Sequence, residues 1–188
     1  MLRKTLAALL LTAAPAFAQE ADGPGPNLVI DVTGTANGQI VIDLNAEKAP
    51  KHTAQIVALA KSGAYDGVVF HRVIDGFMAQ TGDVQYGKAG GDTAMAGMGG
   101  SDLPNLPAEF SDIGFDRGIV GMARSQDPDS ANSQFFIMFA PGDFLNGQYT
   151  VVGKVISGME VVDAIKRGEG GNGEVSSPDV MAKVTVQE

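Results

Sequence analysis

Along this chain apolar residues recur mostly at every second position and, in two stretches, at every third or fourth, so strands should outnumber helices. In Gly38 to Leu44, Ile40, Ile42 and Leu44 alternate with Val41 and Asp43; the apolar run Leu28 to Val32 precedes it. Asn37-Gly38 between them signals a tight turn, and the two runs predict a β-hairpin. Val68-Val69-Phe70 leads into His71-Arg72 and returns to Val73-Ile74, a strand composition with two polar residues in its middle. Asp75-Gly76 turns the chain, and Phe77 to Gln80 reads as the returning strand. Alternation puts Phe70, Arg72 and Ile74 on one face and His71, read as a structural histidine, on the other. Further on, Gly118 to Ala123 is a small-residue strand, and Gln126 to Ser130 is a turn fixed by Asp127 and Pro128. Ser133 to Phe139 alternates Gln134, Phe136 and Met138 against Phe135, Ile137 and Phe139, and Val180 to Val186 is the final strand.

The helical period appears from Pro50 to Lys61, with an apolar stripe of Ile56, Val57, Leu59 and Ala60 and a stop at Ser62-Gly63. His52, in its polar first turn, reads as solvated surface. A second helix is predicted from Gly158 to Arg167, with Val161, Val162 and Ile165 inward. Tyr86 to Asp102 is dense in glycine and carries Met95 and Met98; lacking a Gly-Lys-Ser/Thr ending, it reads as a mobile surface loop rather than a phosphate loop.

Composition narrows the classes. A chain of 188 residues, 44% hydrophobic and 19% charged, fits one soluble globular domain. A net charge of −9 argues against nucleic acid as a partner, since phosphate binding needs clustered Lys and Arg. Without cysteine there is no disulfide framework, thiolate zinc site, thiol nucleophile or lipoprotein anchor. Met1-Leu2-Arg3-Lys4, the short apolar run Thr5 to Ala14 and Ala16-Phe17-Ala18 form a signal-peptide pattern over residues 1–18, with cleavage expected after Ala18. Residues 19–27 then read as a flexible leader and 28–188 as the folded domain. No later run is long enough to span a bilayer, so the expectation is a periplasmic protein with no membrane association after cleavage.

Arg72 is the candidate chemistry. A lone arginine in such a strand ordinarily reaches for water or an acid; among Phe, Ile and Met it can instead be a fixed donor in an apolar pocket. A second strand offers the amide of Gln134 beside the ring of Phe136. No constellation of nucleophile, general base or metal ligands accompanies them.

Three segments decide the matter: Phe70-His71-Arg72-Val73-Ile74 continuing through Gly76-Phe77-Met78, Gln80 and Gly82-Asp83; Ser133-Gln134-Phe135-Phe136-Ile137; and Phe144 to Val155. In order and spacing they resemble the signature segments of the cyclophilin family of peptidyl-prolyl cis-trans isomerases, over about Leu28 to Val186. The resemblance implies a mainly β fold, a closed eight-stranded antiparallel β-barrel capped by two α-helices. It implies acceleration of rotation about X-Pro bonds in unfolded or partly folded polypeptides, here exported ones, with no cofactor or metal; nothing in the sequence suggests an extensive interface, so a monomer is the default expectation. Carried over residue by residue, Arg72, Gln80 and Phe77 would be catalytic. Met78, Ala123, Arg124, Gln134, Phe136, Phe144, Leu145 and Tyr149 would bind substrate. Three positions depart from the best-known eukaryotic pattern: Phe144 for tryptophan, Tyr149 for histidine and Arg124 for asparagine. The missing indole N–H implies weak cyclosporin binding. The alternatives are a non-catalytic proline-peptide-binding chaperone using the same groove, and a small ligand-carrying β-barrel.

Overall fold

The computed structural model describes residues 21–188. The expected signal peptide, residues 1–18, and the first two residues of the expected leader lie outside the described residues. The remainder of the leader runs beside the second strand: Gly23 N donates to Asp43 Oδ2 (3.1 Å) and Leu44 N to Pro26 O (3.0 Å).

The chain forms β1 (Asn27–Thr33), β2 (Gly38–Leu44), α1 (Pro50–Lys61), β3 (Val68–Val69), β4 (Arg72–Ile74), β5 (Met78–Thr81), β6 (Ile119–Met122), β7 (Phe135–Met138), β8 (Val151–Ser157), α2 (Met159–Ala164) and β9 (Val180–Gln187). The β1–β2 hairpin is present in the register Val32↔Gly38, so its connection is the longer Thr33 to Asn37 rather than a tight Asn37-Gly38 turn. α1 has the predicted bounds, with Pro50 in its first turn and Ile56, Leu59 and Ala60 buried.

Among the described residues all strand pairings are antiparallel, in one sheet of nine strands ordered β3-β9-β1-β2-β8-β6-β7-β5-β4. The observed architecture is thus a curled nine-stranded sheet with two helices, where eight strands in a closed barrel were expected. Its two edges, β3 and β4, are separated in sequence only by Phe70 and His71, so the sheet must curl until they meet. Here the predicted single strand Val68 to Ile74 breaks. Phe70 N donates to Asp179 O (2.9 Å) on one side of the seam, and Val175 N donates to His71 O (3.1 Å) on the other. Thr81 Oγ1 reaches back from β5 to Val69 O (2.9 Å).

The break changes which residues share a face. Phe70 turns into the main core inside the curl, with Ile30, Ile42, Phe135 and Ile137, while Ile74 packs outside with Met78 and Phe136. Strict alternation from Phe70 to Arg72 therefore fails. In β7 alternation holds: Phe135, Ile137 and Phe139 join the inner core, Phe136 and Met138 the outer cluster. Phe77 is not in the returning strand either. It donates its N–H to Ile74 O (3.0 Å) in the turn, where Gly76 takes φ +69°, a conformation glycine adopts without a Cβ penalty.

α2 is shorter than predicted. Asp179, almost fully buried, accepts from Lys166 N (2.7 Å) and from Ala36 N (2.9 Å), and this bond draws the chain out of the helix at Ile165. His52 is also not on the surface. Its ring is buried, with Nδ1 2.7 Å from Glu109 Oε2, and the same carboxylate accepts from the backbone N–H of Lys51 and His52. Glu109 thereby satisfies N–H groups at the start of α1, where Ala49 has no side chain to offer.

Candidate active site

The registers β4–β5–β7–β6 place Arg72 beside Gln80, Gln80 beside Phe136, and Phe136 beside Gly121. These four positions form one row across the outer face. The next row, Ile74, Met78 and Met138, lies beneath it. Gly121 gives the small-residue strand its reason: an added Cβ would lie 2.5 Å from Cζ of Phe136 and 2.6 Å from Cε1 of Phe115. Only glycine lets the Phe136 ring lie across β6, stacked on Phe115 at 5.8 Å.

Arg72 is half-buried and, among the described residues, meets no carboxylate. Its Nε donates to Asn172 O (3.0 Å) and its Nη1 to Gln80 Oε1 (3.1 Å). Gln80 passes the polarity on, its Nε2 donating to Gln134 Oε1 (2.9 Å), and Gln134 Nε2 donates to Gly97 O (3.0 Å) and Gly99 O (2.7 Å). Each amide oxygen accepts from the preceding donor, so the chain of bonds fixes both amides and leaves the guanidinium aimed by its neighbours. Burial pulls the Arg72 pKa down, with Tyr149 acting in the opposite sense, and the guanidinium remains protonated.

Around this row Phe77, Met78, Ala123, Arg124, Phe136, Phe144, Leu145 and Tyr149 join Arg72 and Gln80 to enclose a cavity of about 290 Å³. The 3-10 turn Asp143–Leu145 points Leu145 inward and leaves Phe144 64% exposed, 5.5 Å from the Phe77 ring. Tyr149 meets Phe136 edge-on at 5.9 Å, and the Arg124 guanidinium lies over the Tyr149 ring, 4.3 Å from its centroid. Gln134, the remaining predicted residue, lines an adjoining cavity of about 560 Å³ that shares Gln80, Ala123 and Arg124 with the first.

Sequence reasoning did not find this second cavity. Its wall is built by Gly97 to Ser101, Asn105, Ser125, Ser130, Asn132 and Ser133. The Gly- and Met-containing segment read as a mobile loop is tied from two sides. Asp83, fully buried, accepts from Gly97 N (2.7 Å) and Gly99 N (2.9 Å) through Oδ2, and from Gln85 and Tyr86 through Oδ1. Asp83 closes the first signature segment, and that position was the available signal. Asn172, whose carbonyl holds Arg72, sits in a glycine-rich stretch that carried no signal. His71 is buried beside Gly97; burial lowers its pKa, with Asp83 pulling the other way. Among the described residues no group of three or more His, Cys, Asp or Glu side chains could hold a metal ion.

A family model described as cyclophilin type peptidyl-prolyl cis-trans isomerase/CLD matches residues 29–186. A probable peptidyl-prolyl cis-trans isomerase of Brucella suis is 61% identical over 154 residues, covering 80% of this chain and 79% of that protein. A peptidyl-prolyl cis-trans isomerase of Arabidopsis thaliana is 39% identical over 143 residues, 73% of this chain and 82% of the relative. Among solved structures, a Cryptosporidium parvum cyclophilin type peptidyl-prolyl cis-trans isomerase, crystallised in the presence of the dipeptide Ala-Pro, superposes with a TM-score of 0.74. The two share 26% identity, over 86% of this chain and 99% of that one.

Proposed function

Because the chain belongs to the cyclophilin-type peptidyl-prolyl cis-trans isomerase family and is itself such an isomerase, we propose that Arg72 is the group that accelerates X-Pro rotation. Amide resonance gives that rotation a barrier of about 18–20 kcal/mol. At the twisted transition state the resonance is lost and the prolyl nitrogen regains a lone pair. A donor aimed at that nitrogen stabilises the transition state and not the planar ground states. A guanidinium suits this because it cannot give up its proton and presents several donors in one plane. Differential stabilisation of about 5 kcal/mol corresponds to several thousand-fold in rate.

In this reading the pyrrolidine ring enters the cavity walled by Phe77, Met78, Phe136 and Leu145, with Phe144 and Tyr149 at its rim. Gln80 orients both Arg72 and the substrate backbone, and Ala123, Arg124 and Gln134 receive the residues preceding proline. Ala123 N already donates to Gln134 O (2.9 Å), so its contribution to a peptide is through its carbonyl. The observation that carries the proposal is the Arg72–Gln80–Gln134 chain of bonds, which holds an arginine without a carboxylate partner at the edge of an apolar cavity.

The clients we propose are proline-containing exported polypeptides in the periplasm, on the strength of the signal pattern in Met1 to Ala18. Among the described residues no helix is long and apolar enough to cross a membrane. We propose a monomer that binds cyclosporin weakly, since Phe144 has no ring N–H to donate. We also read the curled sheet as a barrel sealed at Phe70-His71 by side-chain and loop bonds, of which Thr81 to Val69 is one, in place of a ladder.

The test is cis-to-trans exchange of an Ala-Pro-Phe peptide followed by NMR, with the protein and with Arg72→Ala. Loss of acceleration by about 10²- to 10³-fold with peptide binding retained supports the assignment. Full turnover in Arg72→Ala removes Arg72 from the mechanism; binding without turnover in the unaltered protein moves the function to a holding chaperone.

A further inference from the structure

The groove carries a charge pattern opposite to that of the chain. There are 22 acidic residues against 13 Lys and Arg, a net charge of −9. Yet the two adjoining cavities are lined by Arg72 and Arg124, with no carboxylate in either wall. The acids nearest Arg124 in sequence are engaged elsewhere: Asp127 Oδ1 accepts from Asp129 N (2.9 Å) and Asp129 Oδ1 from Ala108 N (2.8 Å). Asp83, behind the larger cavity, is fully buried and occupied by four backbone N–H groups.

Arg124 is also fixed. Its Nη1 donates to Ser125 O (2.9 Å) and Gln126 O (3.3 Å), its Nη2 to Gln148 O (2.8 Å), and its plane lies over Tyr149. Carbonyl oxygens immobilise the guanidinium without cancelling its charge, and its Nε is buried with no partner among the described residues. A surface arginine loses rotamer freedom when it captures an anion; this one has already lost it. The larger cavity is lined by Ser101, Asn105, Asn132 and Ser133, with Asn132 Oδ1 accepting from the Ser101 N–H and hydroxyl (both 2.7 Å) and Asn132 Nδ2 donating to Asn105 Oδ1 (3.1 Å), so this part of its wall is polar and uncharged. Polar groups of this kind suit a partly hydrated carboxylate.

Resting on the reading of the smaller cavity as the proline site, we propose that this isomerase prefers substrates with an aspartate or glutamate within two residues on the N-terminal side of proline. Arg124, at the junction of the two cavities, is the specificity-determining group.

The experiment compares kcat/KM, by NMR exchange, for acetyl-capped peptides containing Glu-Pro or Gln-Pro, and for a second pair with Glu or Gln one residue earlier. Glu and Gln are isosteric, so their ratio isolates charge. The preference expected is about 3- to 10-fold for Glu at one of the two positions at low salt, corresponding to one partly desolvated ion pair. It shrinks toward unity in 0.5 M NaCl, where the screening length is only about 4 Å. Arg124→Gln abolishes the ratio, and Arg124→Lys, which keeps the charge, retains part of it. Equal turnover of Glu and Gln peptides at both positions overturns the inference, as does a preference that survives in folded Arg124→Gln. Failure to accelerate any of the four peptides removes the proline-site reading, and this inference with it.

Discussion

Gly121→Ala tests whether the outer row is built as tightly as the geometry demands. The added Cβ would sit 2.5 Å from Phe136 and 2.6 Å from Phe115, about 1 Å inside ordinary carbon–carbon contact. Phe115 and Phe136 stack on each other at 5.8 Å and so block each other's retreat, and Tyr149 meets Phe136 edge-on at 5.9 Å. Overpacking of a buried site costs about 1–3 kcal/mol. With a urea dependence of about 2 kcal/mol per molar, the unfolding midpoint drops by roughly 1 M. The only open direction for Phe136 is the 290 Å³ cavity it walls, so turnover suffers too. A displacement of about 1 Å at a positioned ring lowers kcat/KM by about 10- to 100-fold. Far-UV circular dichroism in urea reads the first effect, since the chain has no tryptophan for fluorescence, and NMR exchange of an Ala-Pro-Phe peptide reads the second. An unchanged midpoint with unchanged turnover would refute the packing argument.

His71 and Glu109 give two handles on pH, and at both of them stability is lost on the acid side. Because burial holds the His71 pKa below that of free imidazole, the unfolded chain takes up a proton that the folded chain refuses. Stability therefore falls as pH drops below about 6.5, by at most about 1.4 kcal/mol per pH unit, and His71→Gln removes that slope from urea midpoints measured between pH 7.5 and 5.5. At Glu109 burial alone would raise the pKa, but the His52 ring and the N–H groups of Lys51 and His52 outweigh it and hold the carboxyl low. Its stabilisation is present above about pH 4.3 and is lost as pH falls through the lower folded value. Glu109→Gln should cost about 1–2 kcal/mol at pH 7 and flatten the acid limb, as read by thermal unfolding across pH 2–7.

What the sequence made legible is what neighbouring residues determine. The bounds of α1 follow from Pro50, the apolar stripe and Ser62-Gly63, and the division of β7 between two clusters follows from side-chain alternation. Apart from Ala123 and Arg124, which lie outside them, the cavity residues were legible through the three signature segments rather than through periodicity, which left Arg72 with two readings. Hidden features depend on partners far along the chain. His52 looks solvated until Glu109, 57 residues away, covers it. The strand at Val68 looks continuous until Asp179 and Val175 take its bonds on opposite sides of Phe70-His71. α2 looks longer because Asp179 competes for Lys166 N from outside the helix. The larger cavity has no linear signature, since its walls come from a glycine loop and two later turns that meet only after the sheet has curled.

The break at Phe70-His71 is also what makes the site possible. Had the strand run on with strict alternation, Arg72 would share a face with Phe70 and face the inner core. A guanidinium there would be desolvated with no acid to pair with. By splitting the strand and sending its halves to opposite edges of the sheet, the fold sends Phe70 inward and leaves Arg72 half-buried on the outer face, in one row with Gln80 and Phe136. The two polar residues in the middle of an apolar run, the first irregularity in the pattern, therefore mark both the seam of the sheet and the donor proposed to act on the prolyl nitrogen.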